Sequence, residues 1–267
     1  MSELLRREDL GHLDGLSGVR EVTLAHQERR NALSPELLED LLTELSDAAQ
    51  AGTRVLILRA ERGATTWSAG LEIDSLPVDG SDPLAWSNPL EDVVHALRRA
   101  PFPVIAAIEG GVWGGACELV LCCDLLVAMR SAEFAITPVR LGVPYNTAGV
   151  NRLLGALPLN VAREMFFTAD PVSAEDWARY GVVNRLVDDA DELEQQSRRL
   201  ASRIAQRAPL AVQVIKGEVT ALTDARALTS DEAERLADLR HRAWTSTDYR
   251  EGVRAFVEKR PPRFSGG

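Results

Sequence analysis

Four glycines within six residues, directly after an apolar segment, are the feature that most constrains the fold of this chain. Residues 103–108 (PVIAAI) are apolar and of strand length, and glycines follow at positions 110, 111, 114 and 115. The apolar segment 116–123 then predicts a buried helix that begins where the glycines end. A strand, a glycine turn and a helix N-terminus in this order point backbone N–H groups at an oxygen that carries negative charge.

One charged residue lies inside the predicted helix. Glu118 is the only charged residue between Glu109 and Asp124. A carboxylate in such an apolar segment is costly to bury without a partner. We therefore expect Glu118 either to face a cavity or to be stabilised by groups that the sequence does not identify.

A second turn of the same kind lies upstream. The apolar run at 55–58 leads into the small residues Ser68, Ala69 and Gly70. Taken alone, a glycine after a strand is more often a packing or turn device. Two such turns together can supply two N–H groups to one oxyanion.

Strands and helices alternate in the first half of the chain. Ser34 followed by Pro35 predicts the N-terminus of a first helix, and the polar residues 77–90 predict a loop. The alternation predicts an α/β fold with a mostly parallel sheet and helices outside. Strands are predicted at 19–24, 55–58, 103–108 and 125–129.

Beyond Thr147 the pattern is mainly helical, with an edge strand predicted within 182–187. Residues 1–200 are therefore interpreted as the core and residues 201–267 as a helical C-terminal subdomain. The helices are predicted at 148–157, 159–167, 174–180, 191–208, 210–222, 231–245 and 248–260.

Composition limits the classes of function. A chain of 267 residues, 45% hydrophobic, is long enough for one sizeable core. The net charge of −10 argues against non-specific nucleic-acid binding. The three cysteines, at positions 117, 122 and 123, favour small core residues in a reducing compartment over a disulfide framework. Without a membrane-spanning run or a secretory signal, we expect a cytoplasmic protein with no metal site and no membrane or nucleic-acid partner.

Three segments carry a resemblance to a known family. They are the turn at 68–70 (SAG), the loop at 114–118 (GGACE) and the ending at 251–260 (EGVRAFVEKR). Because these segments occur in the same order as in that family, the chain resembles the enoyl-CoA hydratase/isomerase (crotonase) superfamily over nearly its whole length. The segments 112–115 (VWGG) and 137–146 (TPVRLGVPYN), with an insertion at 82–84, are most similar to its methylmalonyl-CoA decarboxylase branch.

The resemblance implies a crotonase-like (ββα)-repeat spiral core with a helical C-terminal trimerisation subdomain. It also implies a homotrimer or a dimer of trimers. The substrate would be an acyl-CoA thioester, and no cofactor would be needed because CoA is part of the substrate.

The same resemblance implies roles for individual residues. The backbone N–H groups of Leu71 and Gly115 would form an oxyanion hole for the thioester oxygen. Tyr145 and Glu118 would face the reacting acyl group. The substrate and its CoA part would contact Arg30, Ala32, Leu33, Ser68, Ala69, Gly70, Ile73, Gly114, Thr137, Phe256 and Lys259.

Two departures from the family pattern bear on the reaction. Pro138 stands where the hydratase has its second glutamate, so syn-hydration loses one of two acid/base groups. Leu71 stands where the decarboxylase branch has a histidine. We therefore predict decarboxylation of a malonyl-type CoA thioester, such as methylmalonyl-CoA to propionyl-CoA. The alternatives are another enolate reaction (hydratase, isomerase, thioesterase or C–C bond enzyme) and a non-catalytic acyl-CoA-binding or RNA-binding homologue.

Overall fold

The computed structural model describes residues 3–13, 15–75, 88–223 and 230–264. The insertion at 82–84 lies outside these residues, as does the predicted loop at 77–90 except for its last three positions. No helix in these four ranges is long and apolar enough to cross a membrane.

The strands are β1 (Leu5–Asp9), β2 (Val19–Leu24), β3 (Val55–Ala60), β4 (Thr66–Ser68), β5 (Val104–Ile108), β6 (Gly111–Trp113), β7 (Leu125–Met129), β8 (Glu133–Ala135), β9 (Val172–Ser173) and β10 (Arg185–Val187). The helices are α1 (Pro35–Gln50), α2 (Pro89–Arg99), α3 (Gly115–Leu121), α4 (Thr147–Ala156), α5 (Leu159–Thr168), α6 (Ala174–Arg179), α7 (Ala190–Ala205), α8 (Pro209–Thr223), α9 (Ser230–Trp244) and α10 (Thr247–Val257).

Two sheets form the core of the fold. The larger has the strand order β1-β2-β3-β5-β7-β10 and is parallel except for β1. The smaller has the order β4-β6-β8-β9 and is parallel except for β9. Along the chain β3, β5 and β7 of the larger sheet are each followed by a strand of the smaller one. This alternation confirms the α/β, mostly parallel architecture that the family resemblance implies.

The second sheet corrects the prediction that hydrophobic periodicity alone supports. Periodicity indicated one sheet, and it assigned the glycine segment to a turn, whereas Gly111–Trp113 form β6. Strands of two or three residues are too short to show an alternating pattern. The β1 strand was missed for a related reason: four of its five residues are exposed, and it is held by its antiparallel pairing with β2.

Helix starts were predicted better than helix ends. The Ser34 hydroxyl accepts a hydrogen bond from the Leu37 N–H at 3.3 Å, and Pro35 is the first residue of α1, as predicted. The last helix ends at Val257 and not at residue 260. Lys259 has a left-handed φ of 52°, which turns the chain before the two prolines are reached.

The larger sheet is buried on both faces. One face packs against α1, α2 and α3, and the other packs against α7. In the smaller sheet the ring of Phe134 stacks on Trp177 with centroids 3.8 Å apart. The three cysteines are buried and form no disulfide, which confirms them as small core residues.

Two of the C-terminal helices are anchored to the core of the same chain. A Cβ built on Gly252 in α10 would lie 2.8 Å from the Leu141 Cα, so only glycine allows this approach to the turn Pro138–Leu141. Lys216 in α8 donates to the carbonyls of Leu97 and Phe102, both at 2.9 Å. Its third acceptor is the Asp124 carboxylate at 2.8 Å.

The outer face of α8 is apolar and exposed. Its exposed fractions range from 56% at Val219 to 76% at Leu222. A monomer leaves this face in water, whereas a partner subunit would cover it. The other exposed apolar residues of this face are Leu210, Val214 and Ile215.

We expect Lys216→Met to lower the free energy of unfolding by about 3 kcal/mol, because a buried acceptor that loses its donor costs about 1–3 kcal/mol. Denaturant unfolding followed by circular dichroism measures the change. The matched control is Lys259→Met, since these are the only two lysines of the chain. Lys259 is exposed and its replacement should cost less than about 0.5 kcal/mol. Equal losses in the two variants would contradict the anchoring role.

Candidate active site

The two glycine turns predicted from the sequence meet in the structure. Gly70 has φ +82°, and a Cβ on it would overlap the Trp113 carbonyl oxygen and lie 3.2 Å from the Gly115 backbone nitrogen. Glycine is therefore required at position 70 both for its dihedral angle and for the contact. The turn that follows β4 thus lies against the start of α3.

Leu71 and Gly115 are neighbours at this contact. A Cβ built on Gly115 would lie 3.3 Å from the Leu71 Cγ. Leu71 also pairs with Leu33 in an isolated parallel bridge. Within the described part of the chain, neither the Leu71 N–H nor the Gly115 N–H donates to a protein acceptor. Their joint role as an oxyanion hole stays a prediction.

The segment predicted to contact CoA runs beside the first turn. The Ala69 N–H donates to the Arg30 carbonyl at 2.9 Å, and the Leu33 N–H donates to the Gly70 carbonyl at 2.8 Å. The Ser68 hydroxyl donates to the Asn31 carbonyl at 2.7 Å. These bonds bring the predicted residues from 30–33 and from 68–71 to one place. Ala32 is half-buried within the first segment, and Ile73 is half-buried just after the second.

Asn31, which the sequence analysis did not single out, fixes this place. It is fully buried and has a left-handed φ of 49°. Its side-chain amide donates to the Trp67 carbonyl and its oxygen accepts from the His26 N–H, each at 2.9 Å. The available signal was the residue type alone, because asparagine tolerates left-handed backbone conformations better than most residues.

The second turn is supported from β8. The Gly114 N–H donates to the Ala135 carbonyl at 2.8 Å, and a Cβ on Gly114 would lie 3.0 Å from the Thr137 Oγ1. The two predicted residues Gly114 and Thr137 are therefore adjacent.

Phe256 and Lys259 remain at the surface. Phe256 is 54% exposed, and Lys259 is exposed after the end of α10. The start of α10 does reach the site, because Tyr249 and Val143 form a cluster on which Leu71 packs. The contact of Phe256 and Lys259 with CoA stays a prediction.

Glu118 is buried, with 1% of its surface exposed, and it is compensated by an arginine. Arg152 in α4 forms an ion pair with Glu118. The same guanidinium binds the buried Glu91 of α2 through two bonds, of 2.8 and 3.0 Å. Sequence analysis missed Arg152 and Glu91. The available signal was that Arg152 is the only charged residue of α4, as Glu118 is of α3.

Tyr145 lies beside this cluster. The phenol lies against the Glu118 carboxylate, and burial together with that negative charge raises the pKa of Tyr145. The ring fits because position 149 is a glycine: a Cβ there would lie 2.7 Å from the Tyr145 Cδ1. An edge-on contact with Phe166, centroids 5.5 Å apart, closes the other side of the ring.

The two glutamate positions of the hydratase pattern are thus different in character. Burial raises the pKa of Glu118, while Arg152 and the Tyr145 hydroxyl oppose the shift. Pro138 begins a turn that offers no ionisable group at its position. Pro138 also lines an apolar pocket of about 420 Å³. The pocket is lined by Ile136, Pro138, Val139, Val143, Pro144, Tyr145, Val150, Leu154, Leu159, Arg163, Phe166 and Phe167.

The contact between the two turns can be tested with a matched pair of glycines. Gly63 and Gly70 have φ of +83° and +82°, but a Cβ on Gly63 meets nothing within 4 Å. Gly63→Ala should lower the free energy of unfolding by about 1–2 kcal/mol, which is the cost of placing an alanine in the left-handed conformation. We expect Gly70→Ala to cost about 1–3 kcal/mol more, because the methyl group overlaps Trp113. Denaturant unfolding of both variants measures the difference, and equal costs would show that the turns do not touch.

Comparison with known proteins places this site in a family. The sequence model of the enoyl-CoA hydratase/isomerase family matches residues 14–267. Methylmalonyl-CoA decarboxylase from Escherichia coli (strain K12) is 41% identical over 236 residues, 88% of this chain and 90% of that protein. Enoyl-CoA hydratase domain-containing protein 3, mitochondrial, from Homo sapiens is 33% identical over 258 residues, 94% of this chain and 82% of that protein.

Solved structures agree with these sequence matches. A methylmalonyl-CoA decarboxylase complexed with 2S-carboxypropyl CoA has a TM-score of 0.95 and 36% identity, and the match covers 100% of both chains. A methylmalonyl-CoA decarboxylase in complex with 2-nitronate-propionyl-CoA has a TM-score of 0.91 and 39% identity, covering 94% of this chain and 96% of that one. The chain therefore belongs to the enoyl-CoA hydratase/isomerase family and has the crotonase fold.

Proposed function

We propose that this protein decarboxylates a malonyl-type CoA thioester, such as methylmalonyl-CoA, to the corresponding acyl-CoA. The observation that carries the proposal is the position of Tyr145 beside the buried Glu118, with Pro138 where the hydratase pattern has its second glutamate. The relatives named methylmalonyl-CoA decarboxylase support it. Relatives named for enoyl-CoA hydratase also match, so the assay must separate the two reactions.

The reaction needs an electron sink more than a base. The bond between C2 and the carboxylate carbon breaks, CO₂ leaves, and the electron pair moves through C2 onto the thioester oxygen. The N–H groups of Leu71 and Gly115 would stabilise the enolate oxygen. C2 then takes up a proton. These bond changes require no cofactor, and CoA enters as part of the substrate.

The apolar surroundings of Tyr145 favour this chemistry over hydration. Pro138 and Val143 line the pocket beside it, and Leu71 packs on Val143. A wall of this kind solvates a carboxylate poorly and so favours its conversion to neutral CO₂. Hydration requires a second acid/base group, whose loss typically costs about two to four powers of ten in rate.

The assembly and the location are part of the same proposal. The exposed apolar residues of α8 would be covered in a homotrimer or a dimer of trimers, and the protein would work in the cytoplasm. In that assembly Phe256 and Lys259 would close over the nucleotide end of CoA.

A panel of substrates tests the reaction. We expect the purified protein to release CO₂ from methylmalonyl-CoA or malonyl-CoA, with products identified by mass spectrometry. Crotonyl-CoA should not be hydrated at a comparable rate, because Pro138 cannot activate water. Hydration as fast as decarboxylation would overturn the proposal, as would turnover of neither class of ester.

The Tyr145 hydroxyl is the sharper test of the branch. Tyr145→Phe keeps the ring but removes the hydroxyl that would hold the substrate carboxylate or protonate C2, so kcat/KM for decarboxylation should fall by about 1.5–3 kcal/mol of transition-state stabilisation. Binding of propionyl-CoA, which lacks the carboxylate, should barely change. Tyr180→Phe is the matched control because Tyr180 is exposed at the end of α6. Wild-type decarboxylation by Tyr145→Phe would make Tyr145 a packing residue.

A further inference from the structure

Three helices meet at one buried guanidinium. Arg152 of α4 lies between Glu91 of α2 and Glu118 of α3. The side chain of Arg152 is 9% exposed, and those of the two glutamates are 2% exposed. Two buried carboxylates therefore share one positive charge, an arrangement that favours ionisation of both only if the remaining hydrogen-bond donors are well placed.

The donors are divided unequally between the carboxylates. Glu91 receives both ends of the guanidinium and also the side-chain N–H of Asn146 at 2.9 Å. Glu118 receives one Arg152 N–H and lies against the Tyr145 hydroxyl. The guanidinium that binds Glu118 can only donate hydrogen bonds, which suits a carboxylate and not a carboxylic acid.

We propose that Arg152 is a positioning residue of this site: by bridging Glu91 and Glu118 it fixes the Glu118 carboxylate in place beside the Tyr145 hydroxyl. Glu91 of α2 contributes to the same arrangement. It holds Arg152, and through Asn146 it also holds the N-terminus of α4, where Asn146 is the N-cap and Tyr145 is the preceding residue. The Glu91 carboxylate thereby helps to set the positions of both Arg152 and Tyr145, the two side chains beside Glu118.

The charges around Glu118 determine how its ionisation responds to Arg152. Burial raises the pKa of Glu118, the negative charge of Glu91 adds to the rise, and Arg152 opposes it. Four neighbouring titratable groups, His95, Cys117, Cys122 and Tyr145, are neutral near pH 7, because burial lowers the pKa of His95 and raises that of each thiol and of the phenol. The charged neighbours are Glu91, Arg98 and Arg99 on α2 and Arg152 on α4.

The consequence for catalysis rests on the proposed function. An ionised, fixed Glu118 keeps a negative charge beside the phenol of Tyr145, the group that would face the reacting acyl part. A protonated Glu118 would remove that charge and would become a competing hydrogen-bond donor beside the phenol. Activity should therefore require ionised Glu118, and the acid limb of the pH profile should follow its titration. Since Arg152 favours the ionised form, loss of Arg152 must move this limb to higher pH.

The first arm of the test uses the ligand-free protein and does not depend on activity. The infrared carboxyl band that disappears in Glu118→Gln identifies protonated Glu118, and its titration is followed in the wild type and in Arg152→Met. We expect a higher midpoint in Arg152→Met and a midpoint near the wild type in Arg152→Lys, which keeps the charge. The Lys variant also keeps the test possible if the Met variant does not fold.

The second arm measures decarboxylation against pH. We expect kcat of Arg152→Met to fall by between about ten- and a hundredfold at pH 7 and to recover partly as the pH is raised. Arg152→Lys should lie between Arg152→Met and the wild type, because an ammonium supplies charge without the planar bridge. A merely structural loss would not be reversed by raising the pH.

A second buried arginine provides the matched control. Arg20 is 6% exposed and pairs with Asp9 and Glu44 at 2.7 and 2.9 Å. It lies at the start of β2, whereas the chain reaches the segment 30–33 beyond the end of that strand. Burial raises the pKa of Glu44 and Arg20 opposes the shift, as at the site. We expect Arg20→Met to lower stability while leaving the Glu118 titration and the pH profile unchanged.

Two results would overturn the inference: an unchanged Glu118 midpoint in Arg152→Met, or a raised midpoint with an unchanged pH profile of kcat. A wild-type protein that decarboxylates none of the esters would refute the proposed function instead. In that case the ligand-free titration still decides whether Arg152 controls Glu118.

Discussion

The approach of the Gly70 turn to the start of α3 is the constraint on which the rest of the site depends. Two backbones can come this close only where no Cβ intervenes, and the Trp113 carbonyl occupies the space that a side chain at position 70 would need. The alternation of strands between two sheets produces the approach. Because β4 and β6 are neighbours in the smaller sheet, the segments that follow them emerge side by side.

The position of Glu118 adds a second constraint, which is electrostatic. A carboxylate inside a buried helix must be compensated, and the fold does so with a guanidinium from a different helix. Arg152 then requires a further acceptor, which α2 supplies as Glu91. The contacts among α2, α3 and α4 are therefore set by charge pairing as much as by apolar packing.

The sequence predicted the main strands, the helix starts and the identity of the two turns. Continuous apolar runs and caps are local signals, and Val19–Leu24 and Leu125–Met129 were predicted to the residue. Strands of two or three residues were not predictable, because their stability comes from neighbours distant in the chain. The same holds for Arg152 and Glu91, which lie 61 positions apart. Sequence showed that Glu118 needed a partner, but only the packing of α4 on α3 identifies which residue it is.

The C-terminal helices are more closely connected to the site than their place at the end of the chain indicates. Tyr249 of α10 is buried against Val143, and Leu71 packs on the same cluster, so α10 supports one of the two predicted oxyanion residues from behind. Gly252 permits this by bringing the helix onto the turn that starts at Pro138. The inner face of α10 is therefore used within the chain, whereas α8 keeps an exposed apolar face beyond its Lys216 anchor. The two helices therefore differ in role: α10 packs behind the candidate site, and α8 leaves an apolar face exposed to solvent.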